Sequence, residues 1–470
     1  MFSRRLIAII FPIFTALLFY HCGQPMPPTG GLRDTIPPVL VKSTPPDSGR
    51  NVRTNKITLE FDEYVQLQNA QQQVVISPVP KVMPLIEAKL RTVIIRLKDS
   101  LEPNTTYSIN FGQSLVDVDE NNPMKNFTFI FSTGHAVDSG KLSGRVLMAE
   151  NGKADSTLIV ILYRDLSDTA VIKLKPRYFA RLDKEGFFSF RYLANGKYNV
   201  FALKDADGSL HFDQPTEMIG FLDQPIEIDA NSKPVKLYAF SEIGEGPRKS
   251  PSTQGTKPAA SKEDKRLHYS LNLDNSTLDI LGDLQVKFDR KPSVYDTAKI
   301  SLRNEKGLRV SPYKLALDSN ILKITHAWVP GTKYSLLIEK DFAEDSLGNK
   351  IIRNDTIHFE TKKEADYGSL RLRLLNLDTS LQPILLFYKG DELKKSVPLR
   401  SGRIEFSKII PGEYDIRVLF DRNRNGKWDK GKFSEKLQPE LVKPRKEKLN
   451  IRANWDNEVD INLQEVQNQG

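Results

Sequence analysis

From Ile57 onward the chain reads as short apolar runs of alternating pattern, broken by turn residues every 8–12 positions or so, with no long helical periodicity. Val74-Val75-Ile76, Val93-Ile94-Ile95, Tyr107-Ser108-Ile109 and Phe127-Thr128-Phe129-Ile130 are such runs. An alternating strand can bury only one face, so strands of this kind must pair into sheets that stack on one another. The spacing predicts β-sandwiches.

The pattern then repeats. Ile57-Thr58-Leu59-Glu60-Phe61-Asp62 matches Leu284-Gln285-Val286-Lys287-Phe288-Asp289, and Pro103 with Tyr107 matches Pro330 with Tyr334, all at an offset of 227. Phe131-Ser132-Thr133 matches Phe359-Glu360-Thr361 at 228, and Asp-rich turns at Asp117–Asn122 and Asp345–Asn349 fall in equivalent places. A second module recurs at a constant 216: Gly186-Phe187-Phe188-Ser189-Phe190, Leu193, Gly196, Tyr198 and Val200 against Gly402-Arg403-Ile404-Glu405-Phe406, Ile409, Gly412, Tyr414 and Ile416. Fixed offsets over separated elements indicate duplication. The expected fold is all-β, with tandem β-sandwich modules in the order A–B–A′–B′: residues 39–134, 139–240, 267–363 and 367–465. Residues 243–266, rich in Pro, Ser, Thr, Gly and Lys, read as a flexible linker. Few core contacts should cross it, which predicts two separately folding halves.

Residues 1–21 have the pattern of a signal peptide, with Arg4 and Arg5 before an apolar stretch too short to span a bilayer comfortably. Cys22, the only cysteine, follows at once. Its position resembles that of a lipidated cysteine in a bacterial lipoprotein, although Phe19 and His21 are bulkier than such signals usually carry; the alternative is a chance cysteine beside an uncleaved anchor. Residues 22–38 would then space a lipid anchor from domain A. One cysteine allows no intramolecular disulfide, so each exported domain must rely on its own core. The formal charge of +9 is spread through interleaved acids and bases, which argues against a nucleic-acid surface.

Pro28-Thr29-Gly30-Gly31-Leu32-Arg33-Asp34-Thr35-Ile36-Pro37-Pro38, with Phe61-Asp62-Glu63, Leu101–Tyr107 and Phe131–Gly134, resembles a Bacteroidota lipoprotein family with bacterial Ig-like domains of the S-layer-associated type. The Gly-x-Phe-x-Phe…Gly-x-Tyr pattern of domain B is similar to the transthyretin-like domain called carboxypeptidase regulatory-like. This resemblance implies a cell-envelope lipoprotein, in the outer membrane with the periplasmic leaflet favoured over the cell surface. Seven Asp-Ser or Asp-Thr pairs, at Asp34, Asp99, Asp155, Asp168, Asp296, Asp345 and Asp355, look like O-glycosylation signals of that group; the same pairs are common turn formers.

The one candidate site follows Phe420. Asp421, Asn423, Asn425 and Asp429 place oxygen side chains around Gly426, as a calcium loop requires, with Glu435 as the closing ligand if the loop runs long. The equivalent loop in B offers Asp205, Asp207, Asp213 and Glu217. The competing reading is a turn whose carboxylates bond backbone amides. Catalytic signatures are missing: there is no Gly-x-Ser-x-Gly elbow and no His-Glu-x-x-His helix. The expected function is a non-catalytic envelope spacer and binding scaffold for an envelope protein, cell wall or glycan. A surface adhesin or glycan-capturing protein is the alternative, for which exposed Trp428 or Trp455 would serve, and a hydrolase comes last.

Overall fold

The computed structural model describes residues 34–243 and 266–463. Nearly every regular element is a strand, and the helical pieces are single turns such as Ala70–Gln73 and Ala170–Lys173. The described residues form two compact units. One is domain A, to Gly140, with Tyr192–Asn195; the other holds the rest, domains B, A′ and B′. The chain is an array of tandem β-sandwiches.

In domain A, Leu40–Thr44, Lys56–Phe61, Thr92–Arg96 and Leu85–Lys89 form one antiparallel sheet in that order. Val75–Ser77, Thr106–Asn110 and Thr128–Ser132 form the facing one. The alternation read in the sequence sets which side chains turn inward. Ile57, Leu59 and Phe61 are buried while Glu60 between them is exposed, and Ile57 and Leu59 pair across the sheet with Ile95 and Val93.

Domain A′ repeats this design. Tyr269–Leu271, Leu284–Phe288, Ile321–Thr325 and Lys314–Asp318 take the same order as the first sheet of A, and Leu284, Val286 and Phe288 are its inward row. Trp328 joins the core, packed edge-on against Tyr334 and Phe359.

Domains B and B′ share a different plan, in which the first and last strands run parallel. Gly140–Met148 pairs with Val235–Ser241 in B, and Gly368–Leu375 with Asp456–Asn462 in B′. The 216-residue repeat maps onto one pair of consecutive strands in each, Phe187–Leu193 then Gly196–Leu203, and Arg403–Ile409 then Gly412–Phe420. The two strands of a pair bond to different neighbours, the first to the opening strand of its domain and the second to Ile159–Tyr163 in B or Pro383–Lys389 in B′. Gly196 and Gly412 open the returning strands with φ of 142° and 138°, values that L side chains rarely adopt, so glycine recurs there. Phe188 and Phe190 are buried on one face of their strand, edge-on to each other. Tyr198 and Tyr414 sit in the cores; the Tyr414 hydroxyl donates to Ile410 O at 2.7 Å.

The expectation of two halves with few core contacts between them does not hold. Phe433 of B′ lies in the core cluster of B, its ring 5.4 Å from Phe221, 5.7 Å from Phe212 and 5.8 Å from Phe201, in edge-on geometry. Its backbone N–H donates to Glu242 Oε1 at 2.6 Å. Gln438 Nε2 donates to Phe221 O, Val442 N donates to Ala149 O, and Lys436 pairs with Asp168. Gly431 is pressed against B so closely that a Cβ there would lie 2.4 Å from Phe240 Cζ. A polar linker permits separation, but the docking of B on B′ is written in the side chains of one loop.

Candidate functional site: the aspartate loops and the B–B′ cleft

Three loops are organised by a buried aspartate. In domain A the Asp117 carboxylate accepts backbone N–H groups from Glu120, Asn121 and Asn122 at 2.7–3.1 Å. In A′, Asp345 accepts from the amides of Leu347 and Asn349 and from the Asn349 side chain, with Arg290 Nη1 at 3.2 Å. In B′, Asp421 Oδ1 accepts from Arg424 and Asn425, and Oδ2 from Gly426 at 2.8 Å. All three residues are at most 4% exposed. A tight turn strands several amides at once, and a carboxylate inside the turn satisfies them together.

Around Asp421 the expected residues come together. Asn423 Nδ2 and Asn425 Nδ2 each donate to Asp429 Oδ2, at 2.6 and 2.7 Å. Glu435 does not join them; it pairs with Lys432 at 2.5 Å. Glu440 takes its place at the loop, accepting from Arg422 N at 2.7 Å and Asp429 N at 3.2 Å while almost fully buried. Neither the calcium-loop spacing nor the repeat pointed to Glu440, which comes back to the loop from the irregular segment just before the strand Val442–Pro444.

The equivalent loop in B is looser. Asp207 accepts from Ser209 N at 2.9 Å, and Glu217 accepts from Asp213 N at 3.2 Å. Asp205 has one carboxylate oxygen buried without a hydrogen-bond partner, and burial pushes its carboxyl above the usual range. Among the described residues no group of three or more His, Cys, Asp or Glu is gathered as a metal cluster. At Asp421–Asp429 two of the four oxygen-bearing side chains are asparagines.

Of the tryptophans expected at the surface, Trp428 is half-buried, its Nε1 donating to Glu440 O at 2.7 Å, and Trp455 is 60% exposed with Arg452 over its ring. The hydroxyl residues of all seven Asp-Ser and Asp-Thr pairs are exposed; at Asp34, Asp155, Asp296 and Asp345 the carboxylate accepts the amide two residues on. Cys22 and the signal segment lie outside the described residues. Among the described residues no helix is long and apolar enough to cross a membrane.

Where B meets B′ there is a cleft of about 650 Å³. Phe221, Phe420 and Leu441 contribute apolar wall, and four cations line it: Lys236, Arg422, Arg424 and Lys443. Asp223 is the one acid among them, and it accepts from Gln438 Nε2 at 2.8 Å. Burial lowers Lys443, with the nearby charge of Lys236 adding to it; burial, then Arg145, lowers Lys236. Sequence reasoning missed this cleft, because its residues come from two repeats that only the docking of Phe433 brings together.

Residues 34–133 match the family model of the bacterial Ig-like domain. Among solved structures, the TIE protein of Bacillus anthracis is similar at 11% identity, covering 92% of this chain and 76% of that one, with a TM-score of 0.18. BcpA, the major pilin subunit of Bacillus cereus, is similar at 13% identity over 69% of this chain and 99% of its own, with a TM-score of 0.17. The S-layer protein SbsC is similar at 10% identity over 90% of this chain and 54% of its own, with a TM-score of 0.16. No curated protein matches the chain.

Proposed function

We propose that the chain is a non-catalytic cell-envelope protein, exported and tethered through Cys22, whose β-sandwiches space and present a binding surface to an envelope protein, the cell wall or a glycan. The observation that carries this reading is the joining of B to B′ through Phe433, which seats a side chain of one sandwich in the core of another. An apolar side chain held in a neighbour's core resists relative motion far better than the polar contacts usual between domains. The bacterial Ig-like match at residues 34–133 supports a place in the envelope. The periplasmic leaflet of an outer membrane is the favoured side, as no acidic run follows Cys22.

Trp455, 60% exposed with Arg452 over its ring, favours glycan capture as a second reading, because an exposed indole is a surface on which a sugar ring can stack. The Asp421 loop is the calcium candidate: its oxygen-bearing side chains suit a hard cation, and Asp421, Asn423, Asn425 and Asp429 are those that would hold it. Protease treatment of intact cells and of cells with opened outer membranes tests the placement. Digestion in the opened but not the intact cells is expected. Protection from protease until the cytoplasm itself is lysed would refute an envelope function.

A further inference from the structure

The cleft between B and B′ holds four cationic side chains and one acid. Lys236, Arg422 and Arg424 line it, and none forms an ion pair with a carboxylate among the described residues; Arg422 Nη2 donates to Gln438 O at 2.6 Å. Asp223, the one acid, is engaged by Gln438. Two neighbouring amines on partly buried stems, with two guanidinium groups at the same opening, make a region of positive potential inside low-dielectric walls. The apolar wall supplied by Phe221, Phe420 and Leu441 adds a second demand. A volume of about 650 Å³ falls in the range of small-molecule sites, which combine mostly apolar lining with a few convergent polar groups.

We propose that this cleft binds a small anionic amphiphile, a phosphate or carboxylate head on an apolar body. The head is held by Lys236, Lys443, Arg422 and Arg424, and the body lies against Phe221, Phe420 and Leu441. Because the site is built from both domains, the ligand also strengthens their docking. The inference stands independently of the envelope reading, since it rests on the cleft alone.

Isothermal titration of the purified full chain tests it, using octyl phosphate and octanoate below their micellar concentrations. Octyltrimethylammonium and inorganic phosphate are the controls. Both octyl anions are expected to bind at least about tenfold more tightly than either control, because only they satisfy charge and apolar wall together. Preference between the two anions distinguishes a phosphate head from a carboxylate. The double substitution Lys236→Gln with Lys443→Gln is expected to weaken binding by about tenfold or more. Arg422→Gln with Arg424→Gln, at exposed positions, should do the same without changing the melting temperature, which separates lost recognition from lost folding. Equal binding of octyltrimethylammonium, binding of inorganic phosphate as tight as octyl phosphate, or unchanged affinity in both double variants would overturn the proposal. So would failure of both octyl anions to bind.

Discussion

Phe433→Ala removes the side chain that joins B′ to B. The ring is 7% exposed and makes three edge-on contacts, with Phe201, Phe212 and Phe221. Truncating a buried phenylalanine costs about 3–5 kcal/mol, and each lost aromatic pair is worth about 0.5–1.5 kcal/mol within that total. Phe433 belongs to the core cluster of B and not to that of B′, so the loss falls on the docking of the two domains. At the lower figure of about 3 kcal/mol, association weakens by roughly two orders of magnitude. The remaining links are the partly buried Trp428 and Leu441 against the same cluster, the close approach of Gly431 to Phe240, and polar contacts from Gln438, Val442 and Lys436. The assay introduces a protease site into residues 244–265, cleaves the folded chain, and follows the two fragments by size-exclusion chromatography. Wild-type fragments are expected to co-elute at micromolar concentration and the Phe433→Ala fragments to separate. If the wild-type fragments part on cleavage, or the Phe433→Ala fragments still co-elute with wild-type affinity, the reasoning fails.

Three further outcomes follow from single residues. Calcium is expected to raise the melting temperature of the chain relative to chelator, and Asp421→Ala to remove that gain. The same substitution should also destabilise the chain in chelator by about 1–3 kcal/mol, because it strands buried amides; equal melting of the wild type in calcium and chelator would leave the loop side chains to the backbone alone. Tyr367→Phe deletes a hydroxyl that donates to Asp279 Oδ1 at 2.7 Å and accepts from Ile280 N at 3.0 Å between A′ and B′, and is expected to lower stability by about 1–3 kcal/mol in a denaturant titration. The Asn349 side chain, the amides of Asn349 and Leu347, and Arg290 hold the Asp345 carboxyl below its ordinary 3.8. A depressed carboxyl contributes stability above its unfolded pKa and loses it as pH falls through the folded value, so acid sensitivity begins near pH 4 and deepens below it. Asp345→Asn should flatten that part of the melting-temperature profile.

The sandwich modules were legible because alternation and burial are the same information: Ile57, Leu59 and Phe61 turn inward as their spacing requires, as do Leu284, Val286 and Phe288. The glycines of the 216-residue repeat were legible for a backbone reason, being fixed by φ at Gly196 and Gly412. Phe433 was not. It is a single aromatic in Lys430-Gly431-Lys432-Phe433-Ser434-Glu435-Lys436, with no periodicity to assign it to a face. An isolated large apolar residue among charges was the available signal, and its destination depended on a pocket supplied some 200 residues earlier. Glu440 escaped for a related reason: a metal-loop template counts along the chain, whereas this carboxylate reaches the loop across space. The cationic cleft needed both domains in place before its charges could be seen as neighbours.

The envelope tether is the claim on which the proposed function turns, and fractionation of cells expressing wild type and Cys22→Ala tests it most directly. Acyl labelling and membrane sedimentation are expected for the wild type. Cys22→Ala should lose the label and move to the soluble fraction, since one acylated cysteine would be the tether. Retention of unlabelled Cys22→Ala protein in the membrane would contradict the lipid anchor, and recovery of the wild type in the cytoplasm would contradict the envelope role itself.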